Sequence, residues 1–111
     1  MHRFVILQHD YPFLHWDFLL EQESDCLAWR LLLPIQPGLR CWAKLLSVHR
    51  KHYLTYQGPV SNNRGNVQRA MSGTYEQEAK HSWLLSPEHL SEVMVSASRN
   101  RQQNLWWFQF D

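Results

Sequence analysis

Glycine and proline are scarce, four and five residues in a chain of 111, and that scarcity argues against a disordered or low-complexity polymer. Cysteine is scarcer still. Cys26 and Cys41 fit no CxxC spacing and supply no disulfide framework, which suits two small shielded thiols in a reducing compartment, so a cytoplasmic location is expected. The longest apolar stretches fall well short of the roughly 20 residues a membrane span requires, and "RFVILQ" is too short for a signal-peptide core, so no membrane partner is expected. Excess charge is missing too, since the net charge is +1 and the whole molecule is no obvious polyanion binder. Aromatics, by contrast, are plentiful. Six tryptophans, four tyrosines and five phenylalanines favour strands, and 44% hydrophobic content over 111 residues is enough for one core, hence a single domain over residues 1–111.

Breakers punctuate the chain about every ten residues, the spacing of a meander, sandwich or barrel. "RFVILQ" and "LHWDFLLE" flank the turn signal "DYPF" and read as a hairpin. "CLAWRLLL" stops at "PIQPG", and "CWAKLLSV" leads through "HRKHYLTYQG" to the turn "PVSNNRG". "NVQRAMSGTYE", "HSWLLS" and the aromatic "NLWWFQF" read as further strands. "SPEHLSEVM" has the signature of a short helix, with Ser86 as cap and Pro87 in its first position. No internal repeat or linker interrupts this order.

Charge is uneven along the chain. Asp10, Asp17, Glu21, Glu23 and Asp25 lie between Phe4 and Trp29 without a base, and Arg30, Arg40, Lys44, Arg50, Lys51, Arg64 and Arg69 follow without an acid. Either two solvated faces of opposite sign result, or an acidic metal-holding segment lies beside a phosphate-facing basic surface. In "HDYPFLHWDFLLE" the alternation of a strand puts His15, Asp17, Leu19 and Glu21 on one side and Trp16, Phe18 and Leu20 on the other. His9 can reach the first side across the proline turn. Two imidazoles and a carboxylate leave open positions on a divalent transition metal.

The pattern "FVILQHDYPFLHWDFLLE" resembles the opening motif of the 3′-phosphoesterase domain of bacterial DNA ligase D and its stand-alone relatives, F-V-x-x-H, five residues, H-x-D-F-R-L-E. "HRKHYLTYQGPV" is similar to that family's H-x-x-x-Y-x-x-F-E-G segment, and "RGNVQRAMSGTYE" to its later G-T-Y/W-E stretch. The resemblance runs from Phe4 to about Glu76. It implies a mainly β chain, a small antiparallel β-barrel with one or two short helices, that removes a 3′-ribonucleoside or 3′-phosphate from DNA or RNA-tipped DNA 3′ ends in repair. The implied cofactor is a divalent metal, Mn²⁺ first, with Zn²⁺ or another transition metal as alternatives. The implied metal ligands are His9, His15 and Asp17, and the implied phosphate-contacting catalytic residues are His49 and Tyr53. A separate ligase or polymerase is a possible partner.

Those residue types suit the reaction. A divalent cation neutralises a phosphate oxygen and activates a water, while a histidine and a tyrosine hydroxyl stabilise or protonate the leaving oxygen. His49 and Tyr53, four apart, share a face if the segment is a regular strand. Two departures stand out. Leu19 occupies the position of a phosphate-contacting arginine, and longer members carry an N-terminal extension that contributes further charged residues. His2 and Arg3 are available to substitute for the extension, and Arg64 in the loop "NNRG" for the missing substrate-binding charge. Two alternatives remain: a catalytically impaired relative that binds nucleic-acid ends or docks a partner, and a barrel whose histidines bind no metal. "NLWWFQF" either packs the barrel or presents rings to bases.

Overall fold

The computed structural model describes residues 2–102 and 105–111, so Met1 and, in the last aromatic segment, Asn104 lie outside the described residues. Among the described residues breakers separate nine strands: β1 His2–His9, β2 His15–Glu21, β3 Cys26–Leu31, β4 Arg40–Leu45, β5 Gly58–Pro59, β6 Asn66–Ala79, β7 Ser82–Pro87, β8 Val93–Asn100 and β9 Leu105–Phe110. All pair antiparallel, in the order β1-β2-β3-β4-β9-β8-β7-β6, with β5 a short addition beyond β6. A further pairing of β1 with β6, from His2 opposite Tyr75 to His9 opposite Val67, closes the eight long strands into a barrel. Closure removes the exposed edges that an open sheet of this size would present.

Alternation of side chains sorts two cores. Phe4, Ile6, Phe18, Leu20, Trp29, Leu31, Trp83, Leu85, Val95, Trp106, Phe108 and Phe110 belong to one cluster fed by all eight barrel strands, which places it inside. Its rings meet at offset and edge-on angles, as between Trp29 and Phe108, 5.4 Å apart at 63°. The odd-numbered positions of β1 and β2 point outward, yet they are buried as well. Val5, Leu7 and Leu19 pack with Cys26, Ala28, Leu54, Val60 and Val67 in a second cluster, covered by the segment 46–65. That segment contains the 3-10 helix Lys51–Leu54, the only helix among the described residues. It is fixed to β3 by reciprocal backbone hydrogen bonds between His49 and Cys26, and Leu54, 4% exposed, inserts from it into the cluster.

The helix expected over "SPEHLSEVM" does not form. Ser86 and Pro87 complete β7, opposite Thr74 and Gly73 of β6, and a turn at Glu88–His89, with His89 at φ 64°, leads to β8. Burial outweighs the capping signal here, because Val93 and Val95 must enter the barrel interior to pack with Leu85. Both cysteines are free and buried, Cys26 in the outer cluster and Cys41 in the inner one. No helix among the described residues is long and apolar enough to cross a membrane.

Candidate functional site

The β1–β2 hairpin pairs His9 with His15 and Leu7 with Asp17, so both histidines and the aspartate leave the sheet on its outer face. Their rings and carboxylate converge, with the two imidazole centroids 4.9 Å apart. His15 is fully buried and Asp17 is 3% exposed, because the loop after β1 folds back and lays the Phe13 ring 5.7 Å from that of His15.

Each ring has a hydrogen-bond acceptor behind it that fixes its orientation. His15 Nδ1 is 2.8 Å from the Phe13 carbonyl, and His9 Nε2 is 2.9 Å from the Arg64 carbonyl. A carbonyl only accepts, so these nitrogens carry protons, and the other ring nitrogens, His15 Nε2 and His9 Nδ1, are turned to Asp17. They face its two oxygens: His9 Nδ1 lies 3.3 Å from Oδ2, in hydrogen-bond geometry, and His15 Nε2 lies 3.1 Å from Oδ1. The second contact lacks hydrogen-bond geometry, and both of its atoms are buried without any other partner. Positive charge is what holds two imidazoles against one carboxylate, either a proton on a ring or a metal ion among the three. One ligand atom from each residue falls within 4.8 Å of the others, so the three residues fit a metal ion, with carbonyls orienting the rings from behind. Burial pushes the Asp17 carboxyl up. The contact with His15 and the nearby charges of His15, His49 and His9 outweigh it, leaving the carboxyl below its ordinary value.

Beside this centre a cleft of about 260 Å³ opens between β1, β2 and the covering segment, lined among others by His9, Asp17, His49, Arg50, Tyr53 and Arg64. His49 Nδ1 donates to the Ser47 carbonyl at 3.0 Å, which leaves Nε2 as its free atom. The His49 and Tyr53 rings are 6.1 Å apart, though not by strand alternation as expected. Residues 51–54 form the 3-10 turn instead, closed by Tyr53 N–H on the Arg50 carbonyl, because that curvature lets Leu54 reach the outer cluster.

Arg64 lines the cleft, but its guanidinium is held by its own loop, with Nε 2.8 Å from the Ser61 carbonyl and an Nη 3.1 Å from the Ser61 hydroxyl. Its carbonyl, which orients His9, is the contribution the sequence did not reveal. Gly65 permits that loop: at φ 75° it lies so close to Asp10 and Tyr11 that any Cβ would collide with both, and Asp10 Oδ1 accepts Asn66 N–H at 2.7 Å. Leu19 is fully buried in the outer cluster. His2 and Arg3 do not substitute at the centre, because they sit at the opposite end of β1, about 20 Å along the strand from His9. There His2 packs 5.5 Å from the Tyr75 ring and Arg3 pairs with Glu21 at 2.8 Å. Arg30 was visible in sequence only as one base in a run. Register places it directly opposite Asp17 on the same outward face, its guanidinium 5.3 Å from the Phe13 ring centroid and its Nε buried without a hydrogen-bond partner. The signal for it is the tight turn Gln22–Asp25, which fixes which residue of β3 meets each residue of β2.

Fold and site together define a closed eight-stranded antiparallel barrel with a two-histidine, one-aspartate cluster on its outer face. No family model matches the chain, and no curated protein matches it.

Proposed function

We propose that the chain is a metal-dependent phosphoesterase that processes 3′ ends, removing a 3′-phosphate or 3′-ribonucleoside from DNA in repair. The observation that carries this reading is the convergence of three possible metal-ligand side chains, His9, His15 and Asp17, at the edge of a cleft that also holds His49, Arg50 and Tyr53. A bound divalent cation, Mn²⁺ by resemblance, supplies charge neutralisation at a phosphate oxygen and an acidified water. The remaining work falls to the chain. Arg50, stacked 5.7 Å from the Tyr53 ring, attracts the phosphate, Tyr53 donates its hydroxyl to a phosphate oxygen, and His49 holds or delivers a proton at Nε2. The cleft between the hairpin and the covering segment keeps the reacting phosphate oriented.

Leu19 favours a second reading. A buried leucine where the resembling motif has arginine removes a bidentate phosphate contact, which suits a catalytically impaired module that binds nucleic-acid ends and docks a separate ligase or polymerase. The two readings separate on a labelled primer–template ending in a 3′-phosphate or one 3′-ribonucleotide, incubated with and without Mn²⁺. Metal-dependent trimming that disappears in His15→Ala is the expected result. Metal-loaded wild type that binds the ends without trimming them would move the assignment to the module.

A further inference from the structure

Register continues the outward face of the site across the barrel. Asp17 of β2 lies opposite Arg30 of β3, and Arg30 lies opposite Lys44 of β4. Two residues along β4 on the same face stands Trp42, whose cross-strand neighbour is Trp107 of β9, and two further stands Arg40. Trp42 is 47% exposed, and its ring meets that of Trp107 edge-on, with centroids 5.0 Å apart. The terminal aromatic strand is thus divided: Trp106 enters the barrel while Trp107 faces outward. Arg40 and Lys44 are exposed, and none of the three cations forms an ion pair among the described residues. The row begins at the proposed metal centre and spaces cations around an exposed indole, with neighbours about 5 Å apart across strands and about 7 Å apart along them.

We infer that this row is a track for single-stranded nucleic acid, which delivers a 3′ end to the His9–His15–Asp17 centre. Trp42, buttressed edge-on by Trp107, stacks a base, and Arg30, Lys44 and Arg40 neutralise phosphates on either side of it. Charge complementarity selects this occupant. A protein partner of ordinary surface would be met by three uncompensated cations, whereas a polyanion with π-faced bases matches both features of the row. The inference rests on the proposed 3′-end chemistry for its direction only, and binding along the track requires no metal.

The test is fluorescence anisotropy of a labelled single-stranded oligodeoxynucleotide with the full chain in chelator, titrated at several salt concentrations. Trp42→Ala, Lys44→Gln and Arg40→Gln all change exposed side chains, so the fold is retained, and circular dichroism verifies it. Trp42→Ala is expected to weaken binding about tenfold at every salt concentration. Each glutamine substitution is expected to reduce the slope of log affinity against log salt by about 0.7. Wild type that fails to bind, or variants that bind as tightly as wild type with an unchanged salt slope, overturn the track. A track that binds as described in a protein that never trims a 3′ end leaves the inference standing and removes the phosphoesterase reading.

Discussion

At His9, His15 and Asp17 the local hydrogen bonds decide what the cluster can hold. Two backbone carbonyls orient both imidazoles with their other ring nitrogens turned to one carboxylate, an arrangement that gains energy from a cation placed among them. Asp17→Asn separates those two effects. The amide keeps the shape and turns its one NH2 to one of the two ring nitrogens and its oxygen to the other, so the metal-free fold should melt within a few degrees of wild type. Divalent-metal affinity, measured by competition with a chromophoric chelator, should fall at least tenfold. Unchanged affinity would place the metal elsewhere. Leu19 allows a second substitution at this scale. Restoring the arginine of the resembling motif puts a guanidinium among Val5, Cys26, Ala28 and Leu54, so Leu19→Arg should lower unfolding free energy by roughly 2–4 kcal/mol in urea titration. Stability equal to wild type would mean that the outer cluster yields room for the charge to reach the cleft.

At the scale of elements, the far end of the hairpin is a polar clamp. Glu21 accepts from the Arg3 backbone N–H at 2.9 Å and from its guanidinium at 3.1 and 2.8 Å, and Lys51 of the covering segment approaches to 3.6 Å. The Arg3 hydrogen bonds lead, followed by opposing burial, the Arg3 backbone bond and the charges of Arg3 and Lys51, and together they hold the Glu21 carboxyl at about 2. A carboxyl depressed in the folded state stabilises it above the ordinary value near 4.5, and that contribution is lost as pH falls from there towards about 2. Because Arg3 is 49% exposed, screening holds the contribution to roughly 1–2 kcal/mol. Melting temperature should therefore drop more steeply below pH 4.5 in wild type than in Arg3→Met, and equal slopes would show that the clamp is solvated. Sequence made the two faces of β2 legible, because alternation alone puts His15 and Asp17 opposite Phe18. It did not reveal the cover over the outward face, since "HRKHYLTYQG" reads as an extended run until Leu54 finds the outer cluster.

For the whole molecule, closure through β1 and β6 makes every interior contact depend on pairings far apart in sequence. The strand punctuation was readable because it is local chemistry. Closure was expected only through a motif resemblance, and neither the strand register nor Arg30 opposite Asp17 was read, because register is settled by the interior as a whole. Phe18 shows how tightly that interior is coupled: fully buried in β2, its ring meets Phe4 of β1, Trp29 of β3 and both Phe108 and Phe110 of β9 at centroid distances of 6.0 to 6.5 Å. Phe18→Ala should cost about 3–5 kcal/mol, a large part of the 5–15 kcal/mol typical of a domain. A barrel closed through its interior loses that stability everywhere at once. Guanidinium unfolding of wild type and variant, followed by far-ultraviolet circular dichroism for strands and near-ultraviolet circular dichroism for aromatic packing, should give one shared midpoint per protein, lower in the variant. A variant whose aromatic signal is lost well before its strand signal would show instead that the strands keep their pairing after the interior has loosened, and that closure does not depend on the packing around Phe18.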